Sequence, residues 1–187
     1  MPHDPALEAH EQAEHAHHGA NDPFVARGTV TVATLAVLAA IAGSLESVEA
    51  GRALSASSEA VLVQDEATDA WNEFEAESLK KHLYGIAAQL PGTNADAFRK
   101  TAHDEAAKQG PLRGLAKKNE AKRDTLLAES SAHEERHHWL TGAATLFEIG
   151  IAMSTVAIIS RKRWLLAGAT VFGVVGAIVF ATAYLAA

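Results

Sequence analysis

The sequence predicts an all-α membrane protein: three transmembrane helices plus a long extramembrane antiparallel helical hairpin of coiled-coil character. Three observations lead there. The chain carries three apolar blocks, each about 20 residues long, the length a helix needs to cross a bilayer. A polar, helix-prone segment, residues 46–138, separates the first two blocks. A strong turn signal, Leu90-Pro91-Gly92-Thr93-Asn94, falls at the midpoint of that segment. Much of the apolar content is alanine and aromatics make up only 6%, a balance that favours helix over strand.

Residues 1–23 form an acidic, His-rich leader with five acids and no Lys or Arg. Such a composition cannot bury a core and reads as a disordered, solvated tail. Its histidines (His3, His10, His15, His17 and His18, interleaved with Glu8, Glu11 and Glu14) also form a tract that could take zinc, nickel or copper. The first transmembrane helix is placed at residues 24–45, since no charge occurs between Arg27 and Glu46. The leader has no basic n-region, so this block is expected to be a span and not a cleaved signal, although Ala42-Gly43-Ser44 resembles a small-residue cleavage site.

The second span covers residues 139–160, broken only by Glu148, and the third covers residues 164–187 with no charged side chain. Trp139 and Trp164 sit at span ends, where indole rings prefer the interface. Arg161-Lys162-Arg163 make up the whole turn between them. A short basic loop beside a membrane is retained in the cytoplasm. This places the N-terminus inside and both residues 46–138 and the C-terminus outside, and Arg27 agrees.

Two arms of about 44 residues would leave the bilayer, turn near residues 91–94 and return, reaching ~65 Å if unbroken. Thr93, Asn94 or Asp96 can cap the second arm. Residues 46–77 hold nine acids and one base, and residues 80–136 hold eight acids and eleven bases, so the arms are complementary in charge. Leu62, Ala76, Leu79, Leu83, Ile86 and Leu90 follow a heptad-like seam interrupted by Asp65, Asp69 and Asn72. In the second arm Leu112, Leu115, Asn119, Leu126, Ser130 and His133 give a sparser one. Gly110-Pro111 could kink that arm or end a shorter tip helix.

The absence of cysteine excludes disulfides, thiolate metal sites and thiol catalysis, and a net charge of −7 argues against a nucleic-acid partner. The sharpest motif is His133-Glu134-Glu135-Arg136-His137, a formal H-E-x-x-H. On a helix His133 and His137 lie one turn apart and could share a zinc, with Glu134 as general base. A catalytic zinc needs a third ligand, which the sequence does not select, so no cofactor is expected and zinc is the alternative. Glu148 lies about nine residues inside the second span, where an ionised carboxylate costs ~3 kcal/mol or more. It is expected to face the bundle or a pore, either lining a cation or proton pathway or hydrogen-bonded to a threonine such as Thr34. Small residues recur every four positions at Ala169, Gly173, Ala177 and Ala181, and the first span offers Ala36, Ala40 and Gly43 likewise, spacings that let helix backbones approach.

Five stretches together carry a family pattern: His133 to His137, Leu146-Phe147-Glu148-Ile149-Gly150-Ile151-Ala152, Arg161-Lys162-Arg163-Trp164-Leu165, Gly173 to Gly176, and the Ala70-Trp71-Asn72 region. With Phe24-Val25-Ala26 after the leader, they resemble a bacterial family named domain of unknown function 4337. The resemblance implies a bacterial inner-membrane protein with this topology and no established activity. It also implies that Gln often takes the place of Glu148, and it supplies no catalytic residues. The expected function is a non-enzymatic scaffold or accessory subunit acting through the hairpin, in contact with the lipid bilayer and with sister copies or a membrane-protein partner. The alternatives are an oligomeric cation or proton pathway lined by Glu148 and a zinc-dependent membrane protease.

Overall fold

The computed structural model describes residues 22–185. Among them are three helices and no strand: α1 (Pro23–Ala87), α2 (Ala95–Ser160) and α3 (Arg163–Leu185). Each helix contains a stretch long and apolar enough to cross a membrane. The described residues fall into two compact units, 22–50 with 134–185, and 51–133; α1 and α2 contribute to both.

Helix ends follow local chemistry. At the start of α1 the Asp22 carboxylate accepts the Phe24 N–H at 2.9 Å, and Pro23 takes the first helical position, where its missing donor costs nothing. After Ala87 the chain turns over residues 88–94. The Thr93 hydroxyl lies 2.8 Å from the Leu90 carbonyl and 3.1 Å from that of Ala87, tying the turn back to the end of α1. Gly92 takes φ 79°, a left-handed conformation that suits glycine. Asn94 caps α2, its side chain accepting the Ala97 N–H at 3.2 Å. The helix then runs unbroken through Pro111, which settles the question left open at Gly110-Pro111. Both residues lie on an exposed face, where water can satisfy the carbonyl that a proline leaves without a donor. The connection from α2 to α3 is made by Arg161 and Lys162, with Arg161 at φ 51° in the position where a glycine usually ends a helix.

In the unit of residues 22–50 and 134–185, Leu35, Ala42, Ala143, Ala144 and Phe147 form the core. Glycines bring the helices together. A Cβ on Gly173 would stand 2.6 Å from Leu35 Cδ2, and one on Gly176 would stand 2.8 Å from the Phe147 ring. The α3 contact therefore uses Ala169, Gly173, Gly176 and Ala183, all buried, whereas Ala177 and Ala181 of the anticipated four-residue ladder are exposed. On α1 likewise, Gly28, Leu35 and Ala42 are buried, and Ala36 and Ala40 are exposed. Contacts between gently supercoiled helices recur at alternate steps of four and three, so the strict four-residue row of α3 drifts off the contact face, while the α1 row is out of phase with the buried Gly28, Leu35 and Ala42.

In the unit of residues 51–133 the seam of α1 is made of Ala56, Ala60, Val63, Ala67, Ala70 and Glu77, at alternate steps of four and three up to Ala70. This reverses the expected seam. Leu62, Leu79, Leu83, Ile86 and Leu90 point outward, each more than half exposed, because the alanines occupy the inner face and admit a close approach that leucines would prevent. In α2, Leu115 is also exposed, whereas Ala116 and Asn119 are buried. Partner positions rise along α1 as they fall along α2. The Ser130 hydroxyl donates to the Ala53 carbonyl at 2.9 Å, Lys122 to Glu59 at 2.8 Å, and Asn119 to Glu66 at 3.4 Å. The Tyr84 and Phe98 rings stack with centroids 6.1 Å apart.

Ala67→Leu is expected to destabilise this unit by about 1–3 kcal/mol through overpacking. Leu83→Ala should shift stability by no more than about 0.5 kcal/mol, as at an exposed site. Urea titrations followed by circular dichroism check both; the opposite ranking would restore the leucine seam.

Candidate functional site

Two polar groupings stand out, one in each unit. In the unit holding the apolar stretches, Glu46, Glu49, Arg136, His137 and Thr141 gather where the apolar parts of α1 and α2 give way to polar sequence. The Thr141 hydroxyl lies 2.7 Å from Glu46 Oε1, and His137 Nδ1 lies 3.8 Å from the same oxygen. Arg136 Nη1 is 4.0 Å from Glu49 Oε2, and the Glu49 side chain is 4% exposed, so the carboxylate is desolvated and held by ion pairing. These contacts tie α1 to α2. No hydroxyl–imidazole–carboxylate relay is formed, since the Thr141 hydroxyl meets a carboxylate and not the imidazole.

In the other unit, Arg52, Ser55, Glu59, Leu126, Glu129 and His133 border an open cleft of about 410 Å³. Its charges are mixed: Lys122 bridges to Glu59 at 2.8 Å, and His133 Nε2 lies 3.9 Å from Glu129.

The histidines of the H-E-x-x-H match thus have separate carboxylate neighbours, His133 facing Glu129 and His137 facing Glu46, while Glu134 is exposed. Among the described residues no three His, Asp or Glu side chains come together as a metal-holding group. The leader histidines, His3 to His18, lie outside the described residues.

Glu148 is exposed on α2, one position beyond the buried Phe147. Of the two expected settings, the bundle interior and a pore, the chain's own bundle does not receive it. The inner positions of this stretch are taken by Phe147, Gly150 and Ser154, which leaves Glu148 on the outer face. Thr34, its suggested partner, donates instead to the Val30 carbonyl of its own helix at 2.9 Å. Arg161, Lys162 and Arg163 are all exposed at the α2–α3 connection, and Arg161 Nη2 lies 3.8 Å from Asp22.

Sequence reasoning missed the polar ties of the 51–133 unit. The Trp71 indole N–H donates to Glu120 Oε1 at 2.9 Å, and Arg123 donates to Gln64. A periodic alanine row, with Trp71 immediately following one of its members, was the available signal. Glu77 lies within the seam, its side chain 8% exposed, between Lys80 at 3.0 Å and Lys108 at 3.7 Å. The hydrogen bond from Lys80 holds its carboxyl below the usual value; burial opposes this, and the charges of Lys108 and Lys80 add to the lowering. The Lys122 ammonium is pushed up by its hydrogen bond to Glu59 and by the charge of that carboxylate.

The Glu77 shift fixes a sign for acid stability. Its folded pKa is below the unfolded one, so its contribution is complete above about pH 4.3 and is lost as pH falls through the lower folded value. Glu77→Gln should therefore flatten the acid limb of a stability-versus-pH curve, and an unaltered acid limb would remove Glu77 as its source. The raised Lys122 value works at the other end: its contribution is present below about pH 10.4 and fades as pH rises through the folded value.

A family model described as Domain of unknown function (DUF4337) matches residues 24–186. No curated protein and no solved structure matches the chain.

Proposed function

On the premise that the chain belongs to the family described as Domain of unknown function (DUF4337), we propose that it is a multi-pass membrane protein serving as a non-enzymatic scaffold or accessory subunit. In this reading residues 46–138 form an antiparallel helical hairpin outside the bilayer, and the hairpin is the working part. The observation that carries it is the outward stripe Leu79, Leu83, Ile86 and Leu90, each 56–61% exposed, at steps of four, three and four. This is the spacing of a coiled-coil seam, carried by Leu79, Leu83 and Ile86 on the back of a helix whose inner face is already occupied and continued by Leu90 in the turn. A contiguous exposed aliphatic row marks a contact surface. Farther back along the same row Asp65, Asp69 and Asn72 are exposed and polar, which confines the apolar contact to the tip.

Native mass spectrometry of the protein released gently from its own membranes identifies what the stripe holds: a homo-oligomer assigns a sister copy, and a one-to-one complex assigns a different partner. Replacing Leu79, Leu83 and Ile86 together by Gln should weaken either assembly at least about tenfold with helicity retained, because such side chains carry contact energy only at an interface. Assembly unchanged by the triple substitution would sink this reading.

The second reading is a cation or proton path lined by Glu148 in an oligomer. What favours it is the outward Glu148 carboxylate, which has no hydrogen-bond or ion-pair partner among the described residues. Facing hydrocarbon alone, that carboxylate would cost ~3 kcal/mol or more when ionised, a penalty that a sister copy would relieve. Unchanged ion flux through proteoliposomes carrying Glu148→Gln would dismiss it.

For topology, the basic Arg161-Lys162-Arg163 turn supports a cytoplasmic α2–α3 connection in a bacterial inner membrane. A reporter fused at Thr93 is expected to read as extracytoplasmic, and a cytoplasmic signal would invert the assignment.

A further inference from the structure

A groove runs between α1 and α3. At the N-terminal ends of the two helices it opens as a cleft of about 440 Å³ bordered by Asp22, Phe24, Arg27, Arg163, Leu166 and Thr170. A second cleft of about 350 Å³ follows along the same two helices, bordered by Val30, Thr34, Leu38, Thr170, Val174 and Ala177. Thr170 belongs to both, so a charged pocket passes directly into an apolar channel. The tight Leu35–Gly173 contact forms the floor of that channel, because a helix without a side chain at 173 leaves a furrow between the rows on either side.

The charged half is cationic. The one acid in its lining, Asp22, is already engaged by the Phe24 amide and by Arg161. The Arg27 and Arg163 guanidiniums have no ion-pair partner among the described residues, so both remain available to an anion. The first turn of α3 adds the positive end of the helix dipole. Guanidinium groups bind phosphate oxygens through paired, charge-assisted hydrogen bonds. Lys162, exposed beside the pocket, adds to the positive field.

We propose that this groove binds an anionic phospholipid, with its phosphate between Arg27 and Arg163 and an acyl chain laid along Val30, Leu38 and Val174. The inference rests on the membrane-spanning reading given above. The continuity of the two halves decides for a lipid over free phosphate. A phosphate ion would fill only the polar half, whereas a lipid has a charged head and an apolar chain in the order the groove presents them. Basic pockets between spans at the cytoplasmic surface are where acidic head groups concentrate.

The test uses the full chain in mild detergent and native mass spectrometry, titrating phosphatidylglycerol and phosphatidylcholine of identical acyl chains, with inorganic phosphate as competitor. Phosphatidylglycerol is expected to bind at least about tenfold tighter than phosphatidylcholine and to resist displacement by phosphate. The Arg27→Gln, Arg163→Gln double variant should weaken phosphatidylglycerol about 30-fold and leave phosphatidylcholine unchanged. Ala177→Phe, which fills the channel, should weaken both lipids alike. Equal binding of the two lipids, indifference to the double variant, or displacement by phosphate at comparable concentration would overturn the proposal. If the double variant loses helicity, Arg163→Gln alone carries the test with an expected loss of about fivefold. Carbonate washing of membranes separates the two levels of the argument. A chain released by carbonate defeats the membrane reading itself, while a chain that is retained but shows no lipid preference defeats only this site.

Discussion

Where helices meet in this protein, side-chain bulk is missing, and the rest of the structure depends on that. In the unit of residues 51–133 the α1 face turned toward α2 is an alanine row at Ala56, Ala60, Ala67 and Ala70, with Val63 among them. In the other unit Gly150, Gly173 and Gly176 lie against Leu35 and Phe147 with no room for a Cβ at its ideal position. Small residues give dispersion contacts between backbones but little transfer energy, on the order of 0.8 kcal/mol per buried methylene-sized group. Alanine seams therefore rely on other interactions for their specificity. In the unit of residues 51–133 it also follows that Leu62, Leu79, Leu83 and Ile86 of α1 project away from α2.

Polar bonds supply that specificity. Trp71 to Glu120, Asn119 to Glu66, Ser130 to the Ala53 carbonyl and Lys122 to Glu59 each join one position of α1 to one of α2. The acid-rich first arm and the base-rich second arm meet through such pairs. Exposed ion pairs contribute little to stability individually, but they penalise mismatched alignments. The Glu49–Arg136 contact in the other unit is more deeply placed and correspondingly more sensitive to loss of one partner.

The three apolar stretches could be read from the sequence because hydropathy over about 20 residues is a strong and nearly context-free signal. The turn after α1 was legible in Pro91, Gly92 and Asn94 for the same reason: their backbone preferences act locally. The seam was not. Leu62, Leu79, Leu83, Ile86 and Leu90 satisfy a heptad as well as any buried row would, and hydrophobicity alone ranks them above Ala56, Ala60 and Ala67. Which row faces inward depends on how closely the helices approach, a tertiary property that no single residue encodes. The bundle-facing half of the Glu148 expectation failed by similar reasoning, since its cost in hydrocarbon suggested an inward position that Phe147 and Gly150 already occupy. The helix through Pro111 shows the converse, a local breaker overridden by flanking helix and solvent exposure. The groove between α1 and α3 was invisible in sequence, because Arg27 and Arg163 are distant along the chain and each looked only like a topology signal.

An alanine row that repeats every seven residues has a mechanical consequence. Between Ala56 and Ala70, sliding α1 by one heptad, roughly 10 Å along its axis, would again set small side chains against its neighbour until Glu77 enters the row. The row is thus a rail that fixes separation and leaves longitudinal position almost free. The neighbour is not uniform: Leu112, Ala116, Asn119, Arg123, Leu126 and Ser130 differ in size and polarity along α2. Longitudinal position is accordingly written on α2 and in the side-chain bonds it makes, as notches are cut on only one edge of a ratchet. Substitutions that smooth those notches would leave the two helices joined but free to creep past one another.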